Sequence, residues 1–260
     1  MIDLPDSATF AAALADRRLW VAMGISALAG LVRGFSGFGS ALIYMPLVAA
    51  VYEPRIAAVT LLLIDFFSSA PFTVREFRRC TWREVLPIWI AATVAVPFGT
   101  WALLVVDPVA LRWGICVLAL GLLAMLASGW RYHGRPHMAA TAGVGLFAGF
   151  GAGAVGIAGP AVIIYWLGGG ASTATSMRAN LMAFFTLLGG SLVVAYGSQG
   201  LFTADLLALS LLLAIPYILG IAIGARFFHG TSDEHYRRIA YLIITVAAIL
   251  SLPVLDPLLR

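Results

Sequence analysis

Three glycines in the middle of the chain have the spacing of a phosphate-binding loop. In the stretch AGFGAGAVGIAGPA, Gly151, Gly153 and Gly156 form the pattern G-x-G-x-x-G. That pattern binds a dinucleotide pyrophosphate when it joins a strand to a helix and an acidic residue about 20 positions further on binds the ribose. The chain has no Asp or Glu between Asp107 and Asp205. The glycines therefore predict something other than a nucleotide site.

An arginine and an aspartate interrupt apolar stretches of the first half. Arg33 lies in LVRGFSGFGSALIYMP, and Asp65 lies in LLLIDFFSS. A charged side chain at membrane depth costs about 2.5–3.5 kcal/mol on insertion scales, so it usually faces a cavity or a partner. Arg33 is predicted to bind an anion, with a snorkelling or ion-paired arginine as the alternative. Asp65 is predicted to carry a coupling proton, with a structural pair to Arg33 or another buried arginine as the alternative.

Small residues beside Arg33, and their counterparts in the second half, are predicted to complete the anion site. Glycines let the backbone turn and expose N–H groups, helix N-termini attract anions, and serine hydroxyls donate hydrogen bonds. Close helix packing is the other role of such glycines, and both roles can hold at once. The predicted ligands at the two glycine-rich stretches are Arg33, Gly34, Ser36, Gly37, Ser40, Gly153 and Gly156.

Two further polar residues begin the apolar span after each glycine-rich stretch. Thr60 and Asn180 lie 120 residues apart, at near-equivalent positions of the two halves. Both are predicted to line the polar site, and the alternative is a structural hydrogen bond between helices.

The composition indicates a membrane protein. The 260 residues are 62% hydrophobic and 11% charged, with a mean hydropathy of +0.98, whereas globular domains average roughly 25% charged residues. All 16 basic residues are arginines, and the net charge of +4 is spread over short loops. No basic cluster indicates nucleic acid, and the predicted partner is the lipid bilayer.

The sequence has no motif for a cofactor, a metal or an enzyme active site. Cys80 and Cys116 are isolated, and the four histidines fall in arginine-containing connectors. No cluster of histidine, cysteine and carboxylate and no nucleophile–base pair lies within the apolar spans. We therefore expect no cofactor, no metal and no catalysis.

The chain contains an internal repeat. With a shift of 119 residues, Ala29, Gly30, Gly34 and Gly37 fall on Ala148, Gly149, Gly153 and Gly156, and Pro97 falls on Pro216. The shared offset indicates duplication, so the nearest relative of GAGAVG is RGFSGFG in the same chain. The predicted divisions are an N-terminal leader at 1–18, a first transmembrane repeat at 19–130, a cytoplasmic connector at 131–138 and a second repeat at 139–260.

Each half is predicted to contain three ordinary membrane spans and one longer segment. About 20 apolar residues cross a hydrocarbon core of about 30 Å. The predicted spans are 56–74, 85–106, 109–128, 179–197, 204–226 and 238–255. Segments 19–51 and 139–169 have glycines in the middle, which predicts two short helices joined at a break, as a hairpin or re-entrant pair. The predicted fold class is an all-α integral membrane protein.

The arginines predict the orientation of the two halves. Cytoplasmic loops carry excess arginine, which places loops 75–83, 131–137 and 226–238 inside, so segment 139–169 must fold back. If segment 19–51 also folds back, the two halves have inverted topology, a common transporter plan. Arg17 and Arg18 would then lie outside, against the charge rule, and a single crossing by that segment is the alternative.

The glycine-rich stretches resemble those of a known family. GLVRGFSGFGSALIYMP followed by EPRIAAVTLLLID, and GFGAGAVGIAGPAVIIYWLGG with ATSMRANLMAFF, are similar to the sulfite exporter TauE/SafE family, over about residues 20–255. The resemblance implies a multi-pass transporter of the bacterial inner membrane, for small anions such as sulfite, sulfonates or related organic acids. In one departure, Ala152 stands at the position of Arg33, so one half alone supplies a guanidinium.

The predicted function is secondary transport by alternating access at a site in the middle of the membrane. An anion channel, or an integral-membrane subunit of an enzyme complex, is the alternative. The sequence leaves open the exact substrate, the direction of transport, the coupling ion and whether the protein forms a homo-oligomer.

Overall fold

The regular structure of the described residues is helical. The structure, a computed structural model, describes residues 4–36, 39–128, 137–168, 174–227 and 233–255. Their α-helices, in chain order, are α1 Ser7–Ala15, α2 Arg17–Ser36, α3 Ser40–Val51, α4 Pro54–Glu76, α5 Trp82–Val105, α6 Pro108–Ala127, α7 Met138–Val155, α8 Gly159–Gly168, α9 Ala174–Ser198, α10 Ala204–Phe227 and α11 Asp233–Leu250. A short 3₁₀ turn follows at Pro253–Leu255.

The six predicted single spans correspond to α4, α5, α6, α9, α10 and α11, each within five residues of the predicted bounds. Among the described residues, five helices are long and apolar enough to cross a membrane, namely α5, α6, α7, α9 and α10. The protein is therefore a multi-pass, all-helical membrane protein, as the composition predicts.

Each long glycine-rich segment is a broken helix pair, but the prediction of two short helices was wrong for the first member. Helices α2 and α7 have 20 and 18 residues, about 27–30 Å at 1.5 Å per residue, and only α3 and α8, with 12 and 10 residues, are short. The chain breaks at glycines with positive φ, Gly39 (92°) before α3 and Gly156 (68°) after α7. Gly34 and Gly153 instead remain helical.

Both broken segments fold back on themselves. Asp16 immediately precedes α2, and its side chain lies close enough to that of Tyr52, just after α3, to interact with it electrostatically. Helices α2 and α3 also pack against each other. In the second segment, the hydroxyls of Thr141 in α7 and Tyr165 near the end of α8 lie 2.6 Å apart. The two ends of each segment therefore meet, and we call them hairpin 1 (α2–α3) and hairpin 2 (α7–α8).

The helices of the two halves are joined by two close glycine-mediated interfaces. Helix α2 packs along α10, and α5 packs along α7. A Cβ added at Gly30 would lie 2.2 Å from the carbonyl oxygen of Tyr217, and one at Gly149 would lie 2.0 Å from that of Ala92. Only glycine allows such an approach of one backbone to another, as in other membrane helix pairs. The glycines on the first helix of each hairpin therefore position the opposite half.

Polar contacts near the helix ends link the remaining helices. Arg55 at the start of α4 donates to the carbonyl of Leu104 at the end of α5, at 3.2 Å. Arg112 at the start of α6 donates to the carbonyl of Ser251, just after α11, at 3.1 Å. Each contact joins the beginning of one helix to the end of another, so the helices of each pair are antiparallel.

Candidate functional site

A small cavity lies between the two helix breaks. Its wall includes Gly39 and Ser40 at the start of α3, Ala158 and Gly159 at the start of α8, and the facing sides of α4 and α9. The volume is about 110 Å³, well below the roughly 300–1,000 Å³ of pockets for drug-sized ligands. The cavity therefore suits a ligand of a few heavy atoms.

An ion pair forms the charged part of the cavity wall. The Nε atom of Arg33 lies 2.7 Å from Oδ1 of Asp65, and the two side chains are 15% and 25% exposed. Arg33 is in the last turn of α2, beside the break, and Asp65 is midway along α4. The pairing between these residues, which the sequence left open as an alternative, is thus present. Of the described residues that line the cavity, these two are the charged ones.

A tyrosine from the second half completes this cluster. The hydroxyl of Tyr217, a fully buried residue of α10, donates to Oδ1 of Asp65 at 2.5 Å. The side chain of Ser40, at the start of α3, lies beside the same hydroxyl. The sequence analysis missed Tyr217. The sequence did contain a signal for it. Tyr217 directly follows Pro216 in an apolar span, and a buried tyrosine hydroxyl normally has a hydrogen-bond partner.

Of the predicted anion ligands, Ser40 and Gly156 line the cavity together with Arg33. Gly34 and Gly153 serve helix packing, since a Cβ at these positions would lie 2.2 Å from the carbonyl oxygen of Ile221 and 2.6 Å from that of Val96.

The remaining members of the first predicted ligand group cannot be placed. The backbone of Ser36 ends α2, and its side chain lies outside the described part of the chain, as does Gly37. Among the described residues, Gly39 and Ser40 at the start of α3 and Gly159 at the start of α8 line the cavity.

Thr60 and Asn180 are buried and do not line this cavity. The Thr60 hydroxyl lies 2.7 Å from the carbonyl oxygen of Ile56, to which it donates, and it accepts from Tyr44 at 2.9 Å. Oδ1 of Asn180 accepts from the backbone N–H of Thr81 at 2.7 Å, and Nδ2 donates to Glu84 at 2.9 Å. Asn180 makes the contact between helices that the sequence gave as the alternative, and Thr60 does so through Tyr44.

The second break presents a different polar group to the cavity. Tyr196 of α9 lines the cavity, and its hydroxyl donates to the carbonyl of Gly153 at 3.0 Å. Ala152, at the position equivalent to Arg33, also lines the cavity. Large apolar side chains, including Phe66 and Phe185, form much of the rest of the wall.

The arrangement can bind one small oxyanion. A guanidinium has five N–H donors in a planar fork that matches a carboxylate, sulfonate or sulfite. Ser40 and the first residues of α3 and α8 lie in the same wall, and serine hydroxyls and helix-start N–H groups are donors that attract anions. The apolar remainder lowers the local dielectric and so strengthens the interaction of any charge that enters.

Membrane-length helices around a small, largely apolar cavity with one ion pair in its wall, and broken helices meeting beside it, define a multi-pass membrane protein of the transporter class. The family model described as sulfite exporter TauE/SafE matches residues 22–251. The chain therefore belongs to the sulfite exporter TauE/SafE family, which confirms the resemblance seen in its glycine-rich stretches. Comparison with curated proteins and with solved structures finds no match.

Proposed function

We propose that this protein is a secondary transporter of small anions, namely sulfite, sulfonates or related organic acids, in the cell inner membrane. The observation that carries the proposal is the Arg33 guanidinium in the wall of a cavity of about 110 Å³ between two helix breaks. Arg33 binds the anion, and Ser40 with the N–H groups at the starts of α3 and α8 completes its shell.

Transport proceeds by alternating access between two halves of inverted topology. The ends of hairpin 1 meet at Asp16 and Tyr52, next to the start of α4. The contact of Arg55 with Leu104 brings that start beside the end of α5. The two ends of hairpin 1 therefore lie at the end of the bundle where α5 finishes, so the hairpin opens toward that end.

Hairpin 2 opens toward the other end. Its own ends meet at Thr141 and Tyr165, near the start of α7. Helix α7 runs parallel to α5, since Gly145 lies against Ile88 and Gly149, one turn later, lies against Ala92. The start of α7 is thus beside the start of α5. Opposite openings are what inverted repeats require, and they support a binding site near the middle of the membrane.

Asp65 couples transport to protons. It is midway along α4 and pairs with the guanidinium that binds the anion. A carboxylate that touches the binding group can link its own protonation to occupancy of the site. This role makes the pH gradient the driving force.

Flux measurements in proteoliposomes test the proposal. Uptake of radiolabelled sulfite and of short sulfonates is measured for the wild type, for Arg33→Gln and for the exposed control Arg83→Gln. We expect saturable flux, a loss of about 100-fold in Arg33→Gln, on the scale of a lost charged hydrogen-bond donor, and little change in the control. Equal flux in the two variants would remove Arg33 from the site. Flux indifferent to a pH gradient would remove the proton role from Asp65, and non-saturating currents would favour a channel.

A further inference from the structure

The anion-binding group is already occupied by a carboxylate of the chain itself. Asp65 holds Arg33 at 2.7 Å, and a carboxylate presents oxygens to a guanidinium as a free oxyanion does. An incoming anion therefore meets a neutral pair rather than an available cation. Beside an ionised Asp65 it would also experience like-charge repulsion in a cavity of low dielectric.

The ionisable groups around Asp65 leave a proton as the neutralising charge. Among the described residues, Arg33 faces it from α2 and Tyr217 from α10. Tyr196 of α9 is the other titratable side chain in the cavity wall, and its hydroxyl is bound to Gly153. The cavity-lining residues of α3 and α8 are not ionisable. No second cation among these residues can take over Asp65 when an anion takes Arg33.

We propose that Asp65 is a built-in competitor for the transported anion, and that Tyr217 is the positioning residue that keeps Asp65 at the site. This inference rests on the proposed anion transport. In the resting site, ionised Asp65 pairs with Arg33. When a monovalent anion binds, one proton joins the Asp65 carboxylate, the Asp65–Arg33 pair breaks, and a pair between the anion and Arg33 forms. The site is neutral before and after, so one proton accompanies each monovalent anion.

Tyr217 is placed to hold Asp65 in both states. Its hydroxyl donates to Oδ1 of Asp65, and an oxygen of the protonated carboxyl can still accept that hydrogen bond. The Tyr217 backbone is packed against Gly30 of α2, where a Cβ would come within 2.2 Å of its carbonyl oxygen. The hydroxyl is therefore fixed relative to Arg33 on the same helix, and Asp65 remains within reach of the guanidinium when the anion leaves.

Binding of methanesulfonate to the purified full chain tests the competition. Methanesulfonate is the anion of a strong acid, so any proton taken up on binding belongs to the protein. Calorimetry in buffers of different ionisation enthalpy counts these protons. We expect one proton per anion for the wild type, and none for Asp65→Asn with a Kd about ten-fold lower. In proteoliposomes measured in parallel, Asp65→Asn should still exchange radiolabelled sulfite, but a pH gradient should no longer drive its accumulation.

Tyr217→Phe and Tyr44→Phe form a matched pair of buried phenols. We expect Tyr217→Phe to bind methanesulfonate within about three-fold of the wild type, but to accumulate sulfite at least about five-fold less for the same pH gradient. Tyr44→Phe, whose hydroxyl donates to Thr60 and which does not line the cavity, should retain wild-type coupling. A merely structural role of Tyr217 would lower binding and coupling together.

The outcomes separate this inference from the proposed function. If Arg33→Gln abolishes binding while Asp65→Asn binds no more tightly than the wild type, competition is wrong and anion binding by Arg33 stands. If Arg33→Gln binds as the wild type does, the proposed function itself is wrong. Anion binding by the wild type without proton uptake overturns the competition without any variant. Equal coupling in Tyr217→Phe and the wild type overturns the positioning role.

Discussion

The two hairpins share a plan of packing and differ in charge. Each has a membrane-length first helix, a glycine break and a short second helix that returns. Next to the first break, Arg33 is paired with Asp65. Next to the second, Ala152 occupies the equivalent position, and Tyr196 donates to the carbonyl of Gly153. The two hairpins thus share their architecture, whereas the charged group next to the break is present in hairpin 1 and absent from the equivalent position of hairpin 2.

The difference also explains the space between the breaks. Arg33 and Ala152 both line the cavity, from opposite halves. A second guanidinium at position 152 would fill much of about 110 Å³ and would need a partner of its own, since an unpaired buried charge is costly. One large cation facing one small side chain leaves room for an anion.

The largest expected effect tests the shared packing. Gly30→Ala and Gly149→Ala each place a Cβ within 2.2 Å of a backbone carbonyl oxygen on the opposite helix. Overpacking typically costs about 1–3 kcal/mol, and we expect values at or above the upper end, because the backbone of a packed helix cannot rotate aside. The two variants should lose thermal stability to a similar extent in detergent, measured as Tm by intrinsic fluorescence.

The matched controls lie on the same helices at the same offset. Gly24 and Gly143 have no atom within 4 Å of an added Cβ. Ala at these positions should leave Tm unchanged or raise it slightly, because Ala exceeds Gly in helix propensity by about 1 kcal/mol. If only one of Gly30→Ala and Gly149→Ala were destabilising, the two interfaces would not be equivalent.

The second prediction tests the charge that distinguishes the hairpins. Arg33→Ala leaves Asp65 without its ion pair, and breaking a buried pair costs about 3–5 kcal/mol. We expect about 3 kcal/mol, because Asp65 is 25% exposed and water relieves part of the penalty. The double variant Arg33→Ala/Asp65→Asn should recover at least half of this loss, measured by chemical denaturation in detergent.

Recovery in the double variant is the informative result. If the double variant were as unstable as Arg33→Ala alone, the loss would come from missing packing of the arginine stem rather than from an unpaired carboxylate. Ala152→Ser, at the equivalent position of hairpin 2, is the control. It should change stability little, since no ion pair depends on that residue.

Much of the fold follows from local sequence patterns. Apolar runs of membrane length located the six ordinary spans, and glycines located the two breaks, because both signals lie within one element. The anion site was predicted in part, since a lone arginine in an apolar stretch is conspicuous. Arg33, Ser40 and Asp65 meet at one cavity with Gly156. Gly34 and Gly153 were assigned to the anion site because the sequence does not distinguish a glycine that breaks a helix from one that packs closely against a neighbouring helix.

What the sequence could not supply is the register between distant helices. Gly30 faces Tyr217 while its counterpart Gly149 faces Ala92, so the contacting residues of α10 and α5 are 125 positions apart, not 119. In this register Pro97 and Pro216 are not equivalent, although the shared offset suggested that they were. The contact of Tyr217 with Asp65 depends on this register and crosses 152 residues. No local pattern encodes it.

The third prediction concerns the equivalent polar residues that begin the spans after the hairpins. Asn180→Ala removes the acceptor of the part-buried Thr81 N–H and a donor to the Glu84 carboxylate. We expect a loss of about 1–3 kcal/mol. Thr60→Val removes one bond to Tyr44 and should cost about 1 kcal/mol. Neither should change the Kd for methanesulfonate by more than about two-fold, since neither residue lines the cavity. A ten-fold weaker Kd in either variant would return that residue to the site.

The prediction with the smallest effect tests whether the two ends of hairpin 1 meet, as those of hairpin 2 do. Burial, and then the neighbouring Asp16 carboxylate, raise the pKa of Tyr52 to about 12, above the ordinary value of about 10. The folded state therefore holds this proton more tightly than the unfolded state. The stabilisation is complete below about pH 10 and is lost as the pH rises through 12. Because Tyr52 is only partly buried, solvent screening keeps the effect on stability small, and the titration itself is the better measurement.

Tyrosinate absorbance at 295 nm, compared between the wild type and Tyr52→Phe, isolates this group. The difference should titrate near pH 12, and Tyr52→Phe should lower stability by no more than about 1 kcal/mol through the lost contact of the hydroxyl with Asp16. A difference curve centred near pH 10 would mean that Tyr52 is solvated and does not contact Asp16. The first segment would then not return to its starting side, and the opposite openings of the two hairpins, on which the inverted arrangement depends, would lose their support.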